Sequence, residues 1–210
     1  VLTQLAGPTG WMLTLRTVLT ELPVLLVVVL SVGGWGWLLL GRLMPKTVPV
    51  GLRATTAAAC GLWLLSTAVL LAGSAARGAF SEYIWWPVVG VGAGLVLWFC
   101  RDRLGDFRLP GKQTAGVLAW VLVAAAVGMW LGGAMRPPGT AGLSTGAAYD
   151  VLEYHLQVPR AFYHDGRIGE MPNNCYSYYP LGTEMLFLLS MALRGGAYEG
   201  VYLAKLIGGA

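Results

Sequence analysis

Apolar residues run through this chain in long blocks, separated by short polar segments. The first clear block is Leu22 to Leu40, and Pro23 near its start suits a first helical turn. The mixed stretch Trp11 to Glu21 before it is open to two readings, an extension of the helix or an interfacial segment. Further blocks cover Ala54 to Ala72, Ile84 to Cys100 and Thr114 to Met135. Each approaches or exceeds the roughly 20 residues that a helix needs to cross a bilayer. The paired Trp85 and Trp86 open the third block and suit the headgroup level. A polar loop follows from Arg136 to Pro180. Pro180 fits the first turn of a fifth block, Leu181 to Leu193, and Tyr198 to Ala210 reads as the start of a sixth. The expected fold is all-α: a polytopic transmembrane helical bundle.

Composition agrees with that pattern. Of the 210 residues 56% are hydrophobic and 11% charged, whereas soluble domains carry about 25% charged residues. The net charge of +4 is no nucleic-acid footprint, because no basic stripe with interleaved aromatics accompanies it. Its distribution instead sets an orientation. Arg42, Lys46 and Arg53 lie between the first two blocks, and Arg101, Arg103, Arg108 and Lys112 between the third and fourth. Only Arg77 lies between the second and third. Cytoplasmic loops collect lysine and arginine. The first and third loops are therefore expected in the cytoplasm, and the loop 136–180 outside it, for a multi-pass protein of the inner (plasma) membrane. Cys60, Cys100 and Cys175 have no metal-ligand or disulfide spacing. The chain starts at Val1 with no visible signal peptide and stops at Ala210 inside an apolar run, so it reads as a piece of a longer protein. Gly90 with Gly94, Gly128 with Gly132, and Gly196 with Gly200 have the small-xxx-small spacing that brings membrane helices together.

Polar chemistry gathers between Asp150 and Glu184, which hold five acids and both histidines of the chain. Ala147 to Asp165 has helical periodicity. Leu152, Leu156, Pro159 and Tyr163 share one face, with Val151, Tyr154, Val158 and Phe162 beside it. That is an amphipathic extracytoplasmic helix suited to the membrane surface. Pro159 is expected to kink or split it, and Gly166 to end it. Asp150 and Glu153 fall one turn apart on a shared face. Two such carboxylates can divide the work of base and proton or hydroxyl holder, and they equally suit a solvated helix face. Arg160 and Arg167 match phosphate geometry and equally suit anionic headgroups. Glu184, near a helix start, fits the helix dipole as well as a polar site. His155 and His164 are nine apart, so a metal site would need Glu153 or Cys175. No cofactor is required by this pattern, and a divalent metal is not indicated.

The string YDVLEYHLQVPRAFYHDGRI, followed by YYPLGTEMLFLL, resembles the first extracytoplasmic loop of GT-C membrane glycosyltransferases. The likeness is to the bacterial branch related to protein O-mannosyltransferases and aminoarabinose transferases. It rests on Asp150, Tyr154, His155, Leu156, Pro159, Gly166, Arg167, Ile168, Pro180 and Glu184, within Ala148 to Leu193. The resemblance implies an enzyme that moves a sugar from a polyprenyl-phosphate carrier to an extracytoplasmic glycan, lipid or protein by inverting displacement. It implies Asp150 as catalytic base, with Glu153 beside it. Substrate contacts are expected from Tyr154, His155, Arg160, Arg167, Tyr178, Tyr179 and Glu184. Residues 1–113 would then be three transmembrane helices with cytoplasmic loops. Residues 114–210 would begin the catalytic module. The alternative is a non-catalytic membrane subunit or transporter fragment.

Overall fold

A computed structural model describes residues 8–41, 43–45, 47–101, 114–135, 155–178 and 181–208. Among these the chain is all-helical, with no strand. Helix α1 is Pro8–Leu40, α2 is Val50–Ala75, α3 is Glu82–Cys100 and α4 is Thr114–Met135. Two short helices follow, α5 at Gln157–Asp165 and α6 at Gly182–Arg194, with a 3₁₀ turn at Cys175–Tyr178 between them. The last is α7, Val201–Gly208. Among the described residues three helices are long and apolar enough to cross a membrane: Leu15–Leu40, Val50–Ala75 and Glu82–Phe99.

Helix α1 begins well before Leu22. Trp11 to Glu21 extends it, Pro8 takes the first position, and Pro23 lies in the interior. Proline there removes one backbone bond, and the Pro23 ring is exposed, off the packed side. The cost stays local and the helix continues through it.

Helix α1 packs on both α2 and α3. Its Gly-Gly-Trp-Gly run makes the contact. A methyl group on Gly36 would overlap the Ala57 carbonyl, and one on Gly34 would overlap the Gly92 carbonyl. Gly61 meets the Val32 carbonyl in the same way. The backbones thus touch where side chains are missing, the small-residue packing expected in lipid. The residues differ from the expected ones, however. Gly90, Gly94, Gly128 and Gly132 have open space where a Cβ would go. Spacing alone marked them, but they face away from the helix contacts.

The contacts Gly36–Ala57 and Gly61–Val32 make α1 and α2 antiparallel. The short turn 76–81 then sends α3 back alongside α1. That turn is stitched to the end of α5. Gly78 donates its N–H to the Gly166 carbonyl at 2.8 Å, and Ile168 donates to Gly73 at 2.9 Å. The α2–α3 turn and the end of the long loop therefore share one end of the bundle. Gly166 closes α5 in the left-handed region, at φ 68°, a conformation that costs glycine little.

Helix α5 has Pro159 as its third residue, in the first turn, where a missing N–H breaks nothing. The kink or split expected there concerns a longer helix whose first part lies outside the described residues. Its Val158, Pro159 and Phe162 are buried and the helix packs on α6. Helix α6 thus covers part of the apolar face of α5. The expected segment Ala147 to Tyr154 and Pro180 lie outside the described residues.

Helix α6 follows the expected fifth block to within a residue. It has 13 residues and rises about 20 Å, short of the roughly 30 Å hydrocarbon core. Helix α7 folds back over it, with Gly200 against Met191 and Gly208 against Phe187. Trp85 and Trp86 are tied to protein groups. The Trp85 indole is buried and donates to the Ala79 carbonyl at 2.7 Å, and the Trp86 indole donates to Leu193 at 3.0 Å. Both rings find protein carbonyls for their N–H groups.

Candidate functional site

Glu184 is the third residue of α6, beside the free N–H groups and positive dipole end of that helix. Its residue is buried. Nδ1 of His155 lies 2.6 Å from its Oε1, a short charge-assisted contact. The imidazole is about one-third exposed (36%). Its ring meets the Phe187 ring edge-on, with centroids 6.5 Å apart. Helix α6 supplies both contacts, because Glu184 and Phe187 are three apart and share a face.

The depth of this pair follows from α2. Ser66 donates its hydroxyl to the Gly182 carbonyl at 2.7 Å. It lies nine residues before the end of α2 at Ala75, hence about 13 Å along the axis from that end. The start of α6, with Glu184 and His155, therefore sits below the end where the α2–α3 turn lies.

The other end of α6 carries a second polar cluster. Arg194 Nε contacts Glu21 Oε1 at 3.2 Å, and the Glu21 side chain is only 2% exposed. Nearby, Arg160 lays its guanidinium over the Tyr198 ring, 4.8 Å from the centroid, a cation–π contact. Tyr163 of α5 has its phenol pushed above its ordinary range, first by burial and then by the charges of Glu199 and Glu82.

The expected site residues thus divide. His155 and Glu184 are brought together although 29 positions separate them. Arg160 stacks on Tyr198. Arg167 and Tyr178 are exposed and join neither group. Asp150, Glu153, Tyr154 and Tyr179 lie outside the described residues. Glu21, Ser66, Trp86 and Arg194 were not expected. Trp86 stood out only as one of an aromatic pair and Glu21 only as a lone acid against an apolar run; the partners of both lie far along the chain.

Chemically, a carboxylate on Nδ1 fixes the ring. The contact ties the orientation of the ring to the start of α6. Among the described residues no three of His, Cys, Asp and Glu converge as metal ligands. Cys60 and Cys175 are free thiols. No known protein family, curated protein or solved structure matches this chain.

Proposed function

We propose that this chain belongs to a membrane glycosyltransferase of the GT-C type, which takes a sugar from a polyprenyl-phosphate carrier. The acceptor is a hydroxyl-bearing glycan, lipid or protein outside the cytoplasm. Asp150 is the base in this reading. It removes the acceptor proton as the hydroxyl attacks the anomeric carbon, and the lipid phosphate leaves with the bonding electrons. Glu153 assists it, and the arginines face phosphate. The membrane is the inner (plasma) membrane, with the loop 136–180 on the outside.

The observation that supports this reading best is the 2.6 Å contact between His155 and Glu184. These residues come from the two separate strings that carry the resemblance, the Tyr-His-Leu segment and the Gly-Thr-Glu segment. A buried carboxylate holding an imidazole about one-third exposed, below a helix end, suits a site that handles hydroxyl protons.

The test uses the whole protein in membrane vesicles with labelled polyprenyl-phosphate sugars. Transfer to an acceptor is expected, and Asp150→Asn should abolish it while leaving insertion intact. Glu184→Gln should lower it, because the neutral amide weakens the hold on His155. Absence of transfer from every such donor would leave a non-catalytic membrane subunit as the reading.

A further inference from the structure

Helix α6 is too short to span a bilayer, and every residue from Glu184 to Leu193 is buried. A helix with no lipid-facing or water-facing side is set in place by its protein neighbours. Several of those neighbours' polar contacts come from the first three helices. At the start of α6, the Ser66 hydroxyl of α2 donates to the Gly182 carbonyl at 2.7 Å. At its end, the Trp86 indole of α3 donates to the Leu193 carbonyl at 3.0 Å. That carbonyl belongs to the last turn, which has no partner within its own helix. Beside it, Glu21 of α1 holds Arg194 at 3.2 Å. The same module grips the end of α5 through the Gly78–Gly166 and Gly73–Ile168 backbone bonds.

These points sit at opposite ends of one rod. Gly182 and Leu193 are eleven residues apart, or about 16 Å. Two anchors that far apart block both sliding and tilting. The consequence falls on Glu184. A slip of one residue would move it about 1.5 Å and turn it about 100° around the axis, enough to break its 2.6 Å contact with His155.

We propose that Glu21, Ser66 and Trp86 are positioning residues for the His155–Glu184 pair. Through them the first three helices form the platform of the site. They act through α6 and touch no substrate. The activity arm of the test rests on the glycosyltransferase reading; the cross-linking arm does not.

The first arm measures sugar transfer by the whole protein in vesicles. Misplacing a site by about 1 Å costs on the order of a hundredfold in rate. Ser66→Ala and Trp86→Phe should therefore lower kcat about tenfold or more, with KM for the lipid-linked sugar within about twofold. Ser66→Thr, which keeps the hydroxyl, should restore kcat. Gly90→Ala, which adds a methyl group to α3 in open space, is the control and should leave kcat and cross-linking at the parent level. The second arm places His155→Cys and Glu184→Cys in a chain whose native cysteines are alanine. Cross-linking of that pair by a short bifunctional thiol reagent, which spans the space of the two lost side chains, should fall severalfold when Ser66→Ala or Trp86→Phe is added. Unchanged cross-linking, or kcat equal to the parent in both variants, overturns the proposal. If cross-linking falls but no donor supports transfer, the enzyme reading fails and the positioning role stands.

Discussion

Gly36→Ala is the sharpest single perturbation of the bundle. One methyl group is added at the crossing of α1 and α2. It would overlap the Ala57 carbonyl and lie 2.9 Å from the Gly61 nitrogen. Those are backbone atoms, so no side chain can rotate aside and the helices must separate. Overpacking costs about 1–3 kcal/mol, and a backbone obstacle places this site near the top of that range. Alanine is the better helix former by about 1 kcal/mol. The net loss is therefore about 2 kcal/mol, or about 4–8 °C in a chain of this size. Gly90→Ala gives the same propensity gain in α3, but with nothing within 4 Å of the new methyl. Its melting temperature should hold or rise. Tryptophan fluorescence melts of both variants in detergent make the comparison. Equal melting temperatures would refute the close-approach account of α1 and α2.

Phe162→Ala should be more damaging, because that ring is 1% exposed between α5 and its neighbours. A loss of about 3–5 kcal/mol is expected, read as a lower melting temperature and faster proteolysis after α5. Tyr163 sets a pH dependence. Its folded pKa is raised, so above its ordinary value near 10 the folded chain holds the proton that the unfolded chain has lost. Stability should then fall as pH rises from about 10, and Tyr163→Phe should reduce that slope in pH-resolved melts. Sidedness can be read on the native chain. Exposed Cys175 should react with an impermeant thiol reagent added outside intact cells, and Cys60, within α2, should not. Labelling of Cys175 only after the membrane is opened would reverse the proposed orientation.

The long helices were legible because lipid imposes a simple one-dimensional demand: enough consecutive apolar residues to cover the core. Val50–Ala75 and Glu82–Cys100 therefore lie close to their expected blocks. Gly166 was legible as a stop because only local backbone geometry is at issue. Pro23 misled for the opposite reason. A proline marks a weak point in a helix, and neighbouring helices decide whether the helix continues through it. Two of the three glycine pairs misled as well, although Gly200 of the third does pack on Met191, since spacing shows which residues share a helix side but not which side meets a partner.

Glu184 and His155 each stood out by residue type near an apolar run, yet nothing in their spacing joined them. Their contact, like Glu21 with Arg194 and Ser66 with Gly182, spans positions that only packing brings together. By itself, the sequence determined that the chain is helical, which segments are apolar enough for a membrane, and where its polar chemistry is concentrated. Tertiary structure decided which glycines touch, that α5 rests on α6, and how deep the paired carboxylate lies. The physical reason is range. Hydropathy and local turns act between near neighbours, whereas a hydrogen bond at 2.6 Å needs two distant segments held in register by everything between them.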